Sequence, residues 1–145
     1  MKFENQGPKI VENDLTRLEQ VIGGPLPNDY RQFLLTYNGG VPIQFSVVDV
    51  EGLKGTPTDV HVLFGIKRSI ESDELFWNVE VFSERLRGKH LLPIGCDSGG
   101  CLFCLSLAEN NFGTILYFDW DFENLQGNIY PVAHDFTSFL NKLRN

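Results

Sequence analysis

Three cysteines, an aspartate, a serine and two glycines fall within nine positions, Cys96-Asp97-Ser98-Gly99-Gly100-Cys101-Leu102-Phe103-Cys104. These residue types admit three kinds of chemistry. A serine between an aspartate and two glycines has the makeup of a nucleophile loop, which needs a histidine or other base beside it. Three thiols could ligate a metal as thiolates. Asp-Ser-Gly-Gly is also the composition of a tight turn, because Asp bonds the backbone ahead of it and Gly adopts positive φ.

The nucleophile reading lacks a base. Chymotrypsin-like enzymes place His before Asp before Ser, whereas here His134 in Val132-Ala133-His134 follows Ser98, and 145 residues are too few for their two β-barrels. A triad is defined by geometry and not by chain order, yet none of His61, His90 and His134 sits in a context that marks it as the base. The metal reading fails on direction. Residues 101–107 have the pattern of a strand, and side chains three apart on a strand point to opposite faces. Zinc sites also take four ligands, often as two close pairs, and no second pair is present. Asp119-Trp120-Asp121-Phe122-Glu123 resembles the start of a calcium loop, but Asn124 stands where an EF-hand needs glycine. No phosphate-binding glycine loop and no H-E-x-x-H occurs. The opening stretch is therefore expected to be a turn, with Pro93-Ile94 closing an extended segment and Cys101 starting the next strand. No catalytic, cofactor-binding or metal-binding residue is expected.

The elements around that turn follow from periodicity. Leu15, Leu18, Val21 and Ile22 predict a helix over Glu12–Ile22 that Gly23-Gly24 stops. Pro27 suits the first position of a second helix, along which Tyr30, Phe33, Leu34 and Tyr37 form one apolar stripe until Asn38-Gly39-Gly40. Residues 43–50 and 60–66 read as strands with a loop of Gly52, Gly55 and Pro57 between them. Residues 73–86 read as a third helix with Leu75, Val79, Phe82 and Leu86 on one face. Strands over 101–107 and 114–119 are joined by a hairpin-sized loop. Asp135 is a good N-cap for a last helix carrying Phe136, Phe139, Leu140 and Leu143. The order of elements lacks regular strand–helix alternation. It predicts an α+β fold over residues 1–145 as one domain, with a mostly antiparallel sheet covered by four helices.

Composition limits the partners. The chain is 42% hydrophobic and 21% charged, with 12 Phe, which suits a globular domain with an aromatic core. The net charge of −7 argues against direct nucleic-acid binding, which needs a Lys/Arg footprint. The stretch from His90 to Asn141 contains no Lys or Arg but carries Asp97, Glu109, Asp119, Asp121, Glu123 and Asp135. Such a stretch either solvates a face or steers a basic partner. The first residues lack the apolar segment of a signal peptide, and no apolar run approaches the ~18 residues that span a bilayer. With an odd number of cysteines, the expected setting is the cytoplasm, with free thiols and no membrane contact.

Three blocks carry a family resemblance. Leu18-Glu19 followed by Leu26-Pro27-Asn28-Asp29-Tyr30-Arg31-Gln32-Phe33-Leu34 and Asn38-Gly39-Gly40 resembles the N-terminal signature of the SUKH superfamily of Smi/Knr-type proteins. Leu92-Pro93-Ile94-Gly95 with Asp97 and Gly100 is similar to its central block. Ile115 to Asp119 and Val132 to Leu140 resemble its last strands and helix, with His134-Asp135 departing from the usual small residue and serine. Val11 replaces the hydroxyl N-cap usual before the first helix, which moves the expected start to Asn13. The resemblance implies a non-enzymatic protein-binding module. For bacterial members it implies a cytosolic immunity protein that neutralises a polymorphic toxin, often a nuclease. For fungal members it implies an adaptor in cell-wall or glucan regulation. The acidic stretch would fit a basic toxin cleft, which makes Asp97, Asp119, Trp120, Asp121 and Glu123 the expected partner-binding residues.

Overall fold

A computed structural model describes residues 1–124 and 126–145. Its main layer is a five-stranded antiparallel sheet in sequence order, β5 (Val62–Leu63), β6 (Leu91–Cys96), β7 (Leu102–Ser106), β8 (Ile115–Asp119) and β9 (Asn128–Ala133). Two short antiparallel pairs flank it: β1 (Phe3–Glu4) with β2 (Val41–Pro42), and β3 (Val47–Val48) with β4 (Thr58–Asp59). Four α-helices among the described residues complete the α+β architecture: α1 (Glu12–Ile22), α2 (Asn28–Thr36), α3 (Leu75–Val81) and α4 (Phe136–Lys142).

The helix boundaries show what fixes them. Helix α1 starts at Glu12 and not at Asn13, because Asp14 does the work of the missing hydroxyl cap. Its Oδ2 accepts the Val11 amide at 3.0 Å, and its own amide returns to the Val11 carbonyl at 3.0 Å. Pro27 is the N-cap of α2 and not its first helical residue; its carbonyl accepts the Arg31 amide at 3.0 Å. Glu74 caps α3 by accepting the Trp77 amide at 3.0 Å. That helix ends at Val81, five residues short of the expected 86. The Ser83 hydroxyl donates to the Glu80 carbonyl at 2.7 Å, and the chain tightens there into turns. Phe82 and Leu86 stay buried even so. Asp135 caps α4 as expected, accepting the Ser138 amide at 2.7 Å.

The expected strand over 43–50 contracts to Val47–Val48, since Gln44 takes a left-handed φ of 73° that no strand tolerates. The expected strand over 60–66 contracts to β5, Val62–Leu63, and β4 lies just before it at Thr58–Asp59. Strand β9 was not expected at all. Its Pro131 would remove a donor from a central strand but is tolerated on an edge, which is where β9 lies.

The core is aromatic. Phe33 and Phe136 bring α2 against α4 with ring centroids 4.8 Å apart, and Phe3, Tyr30 and Tyr37 surround them. Phe103 on β7 meets Tyr117 and Phe139. Tyr30, Phe33, Leu34, Phe136 and Phe139 are buried, and Leu140 is half-buried. A cross-link fastens the two helices at the surface, where Asp29 accepts the Thr137 amide at 3.0 Å and its hydroxyl at 3.1 Å.

The cap carboxylates give the fold an acid limit. Asp14 is held below its ordinary value first by the Val11 amide and then by Lys67, and Asp135 first by the Ser138 amide. A carboxyl lowered on folding adds stability above its unfolded value near pH 4, and that stability is lost as pH falls through the folded value. The urea midpoint should therefore hold from neutral pH down to about 5 and fall below about 4. Asp14→Asn should flatten part of that fall. A midpoint unchanged down to about pH 3 would contradict the assignment.

Candidate functional site

Strands β6 and β7 are joined by residues 97–101, which turn at Ser98-Gly99-Gly100. The Asp97 amide donates to the Cys101 carbonyl at 2.9 Å, and the Gly100 amide donates to the Asp97 carbonyl at 3.1 Å. Gly100 at φ 91° takes the left-handed place that such hairpins require. The Asp97 carboxylate organises the turn from inside. Oδ1 accepts the Gly99 and Cys101 amides, each at 3.0 Å. Oδ2 accepts the Thr58 hydroxyl at 2.8 Å and the Tyr117 hydroxyl. Asp97 is 6% exposed, so these four donors take the place of water. Sequence reasoning grouped it with the partner surface; the structure removes it from that surface and makes it the node joining β4, the hairpin and β8.

Ser98 is exposed and bonds to Asp59. Its amide donates to Asp59 Oδ1 at 2.9 Å and its hydroxyl donates to Oδ2. Burial pushes Asp59 up, but the two Ser98 hydrogen bonds, its own amide and His61 together leave the carboxyl below its ordinary value, a poor general base. His134 lies instead against Ser138 Oγ at 3.3 Å and Asp135 at 3.5 Å. Ser98→Ala should cost about 1 kcal/mol or less, because Asp59 keeps the backbone donor. A loss above about 3 kcal/mol by urea unfolding would show that the hydroxyl matters more than this geometry allows.

The three thiols are free. Cys104 is fully buried in β7, and burial pushes its thiol far up. Cys101 lies one residue before the strand, half-buried, with Sγ 3.5 Å from Asp119 Oδ1 and from the Trp120 carbonyl. Burial and then Asp97, Asp73 and Asp59 push Cys96 up to about 12. Thiolates react and thiols do not, so native protein at neutral pH should resist iodoacetamide and take up three labels only once unfolded. Rapid labelling of any cysteine in the native state, read by intact mass, would contradict this.

The motif residues have structural roles. The buried Asn38 amide donates to the Pro8 and Ile66 carbonyls at 2.8 and 2.7 Å and accepts the Ile66 amide at 2.7 Å, tying three segments together. At Gly95 a Cβ would sit 2.7 Å from the Val62 carbonyl oxygen, so only glycine lets β5 lie this close to β6.

The acidic strand end makes a different kind of site. Strand β8 finishes at Asp119. Trp120 is half-buried and packs edge-on against Phe82 at 5.6 Å, and Phe122 stands edge-on to Trp120 at 5.9 Å. Phe122 is 85% exposed, the most exposed large apolar residue among the described residues. Asp121 holds the loop by accepting the Glu123 and Asn124 amides at 2.9 and 2.6 Å. Asp119, Trp120, Asp121 and Glu123 are thus neighbours of Phe122 along the chain, with Trp120 in ring contact with it. The surface is not free of cations, although the sequence segment is. The Arg85 guanidinium lies 4.2 Å from the Trp120 ring centroid, and Arg85, Arg87 and Lys89 line an open hollow of about 330 Å³ with Gln126 and Glu84, which pairs with Arg87 at 2.6 Å. These cations come from the turns after α3, which is why linear charge patterning missed them.

Comparison with known proteins agrees with the motif blocks. The model of the SMI1/KNR4 family (SUKH-1) matches residues 9–142. The SPbeta prophage-derived uncharacterized protein YokK of Bacillus subtilis (strain 168) is 25% identical over 147 aligned residues, covering 92% of this chain and 74% of its own.

Proposed function

The chain belongs to the SMI1/KNR4 family (SUKH-1), and from that membership we propose that it is a non-enzymatic protein-binding module, an immunity protein that neutralises a basic toxin domain in the cytoplasm. The observation that carries the reading is Phe122, a solvated aromatic ring in a chain segment that also carries Asp119, Asp121 and Glu123. An exposed aromatic ring costs solubility, and interfaces use such rings as anchors with charges as a steering rim. The prophage origin stated in the relative's name is in keeping with a gene kept for conflict between genomes.

Co-expression with the product of the adjacent open reading frame, followed by co-purification, tests the proposal. Changing Asp119 and Asp121 to Asn and Glu123 to Gln together should slow association and remove most of its salt dependence. Phe122→Ala should weaken binding by about 2 kcal/mol through faster dissociation. If both variants bind and protect like the parent at low salt, this surface is not the interface. Capture of a cell-wall synthetic enzyme in place of a toxin would favour the adaptor role.

A further inference from the structure

A cation stands one ring away from Phe122. Phe122 packs edge-on against Trp120 at 5.9 Å, and the Arg85 guanidinium lies 4.2 Å from the centroid of the same Trp120 side chain. The Phe82 ring is a second neighbour of that guanidinium, at 5.7 Å. A guanidinium stacked on an aromatic face keeps its N–H donors in its own plane, away from the ring. Arg85 is half-buried and held by two rings, so its donors are in place before a ligand arrives.

Those donors lack an acceptor. Every other arginine has one, whether a carboxylate, as Arg144 has in Asp49, or a backbone carbonyl, as Arg68 has in Asn5. For Arg85 the described residues supply neither an ion pair nor a hydrogen bond, and its Nε is buried without a partner. The Trp120 indole Nε1 beside it is also buried without a partner among those residues. Buried donors are almost always paired. Two unpaired ones on touching residues mark a place where an acceptor is missing.

The charge of the adjoining hollow says what kind of acceptor fits. Arg85, Arg87, Lys89, Glu84 and Gln126 line about 330 Å³ of open space. Glu84 and Arg87 pair with each other, which leaves Arg85 and Lys89 with no carboxylate among the described residues. The uncompensated charge is therefore positive, on a chain whose net charge is −7. The planar fork of an arginine matches the two oxygens of a carboxylate. A nucleic-acid backbone fits less well, since it needs cations along a whole face. The exposed aromatic ring next door is the kind of anchor that protein interfaces use.

We infer that Arg85, with Lys89, receives an aspartate or glutamate carboxylate of the partner protein beside the Phe122 anchor. The inference rests on the protein-binding reading above and sharpens it: the basic partner must present one acidic side chain at this point. A uniformly basic segment would meet Arg85 with like charge and be disfavoured.

The probes are the acetylated tripeptide amides Glu-Gly-Glu and Gln-Gly-Gln, and inorganic phosphate, each titrated into the ¹⁵N-labelled full chain at fixed ionic strength. The Arg85 Nε–H and Trp120 indole N–H signals report on the site. The glutamate peptide should shift both saturably, and the glutamine peptide should bind about tenfold more weakly. Arg85→Lys keeps the charge without the planar fork and should weaken the glutamate peptide about tenfold, read at Trp120. Lys89→Gln should weaken it about threefold. Equal binding of the two peptides would overturn the carboxylate site. So would phosphate that shifts these signals while the glutamate peptide leaves them unmoved. Should the Arg85 variants fail to fold, an unchanged affinity in Lys89→Gln would overturn it equally. In the co-expression assay, Arg85→Gln should speed dissociation of the captured partner about tenfold. A partner that holds Arg85→Gln as tightly as the parent but loses Phe122→Ala would overturn the site and leave the protein-binding reading intact. Binding of the glutamate peptide that depends on Arg85, with no protein captured by the whole chain, would support the site and overturn the immunity role alone.

Discussion

Phe33→Ala is expected to lower the unfolding free energy by about 3–5 kcal/mol. Phe33 is 5% exposed and lies within ring contact of Phe3, Tyr30, Tyr37 and Phe136, so truncation opens a cavity where α2 meets α4. The surrounding rings come from β1, α4, α2 itself and its C-cap, and their close packing limits collapse into the gap. Domains of this kind have only about 5–15 kcal/mol in hand, so the loss takes a large share of the total stability. Phe33→Leu should cost clearly less, about 1–2 kcal/mol, because it keeps most of the volume. Urea unfolding followed by near-ultraviolet circular dichroism would measure both. A loss below about 1 kcal/mol for the alanine variant would mean that α2 does not depend on this contact.

Asp97→Ala should be nearly as damaging, at about 3–4 kcal/mol, although the residue lies in a turn. It would strip partners from the Thr58 and Tyr117 hydroxyls and the Gly99 and Cys101 amides together. Donors held by a carboxylate lose about 1.5–3 kcal/mol each at most, and those near the surface regain water, so the sum falls short of four full bonds. Asp97→Asn keeps one acceptor oxygen, and both hydroxyls can turn to accept from its amide; its cost should be about half. Urea unfolding gives the ordering. If Asp97→Ala proves no worse than Ser98→Ala, the carboxylate is not the node described here.

The contrast between those neighbouring residues shows where sequence stops informing. Asp-Ser-Gly-Gly announces a turn, and a turn it is, because the demand for positive φ at Gly100 is local. Which of Asp97 and Ser98 faces inward depends on Thr58 and Tyr117, 39 and 20 residues away, and no local pattern encodes that. The Leu26-to-Gly40 block was legible for a related reason: its apolar stripe and terminating Asn-Gly-Gly act within one helix and its exit. The two-residue strands β1 to β4 are too short to have a period at all. Strand β9 was hidden by Pro131, a residue read as a breaker until the edge position is known. At the candidate surface the sequence supplied the carboxylates. It did not tell Trp120 from Phe122, because exposure of one ring and cover of its neighbour depend on Phe82 and Arg85 arriving from α3 and the turns after it.

The order of the main sheet has a consequence for how the chain reaches this state. Strands β6 to β9 follow one another in sequence and pair with their neighbours through short connections, so each hairpin can close at small entropic cost. The aromatic contact of α2 with α4 joins Phe33 to Phe136 across roughly a hundred intervening residues, and such a closure comes late. On the ribosome, α2 would emerge long before its partner exists. Until residues 136–142 are made, the stripe of Tyr30, Phe33 and Leu34 has no cover from α4, and chaperones bind such nascent apolar faces. Slowing the appearance of α4 should therefore lengthen the time this chain spends bound to a chaperone, while leaving the sheet of the finished protein as stable as before.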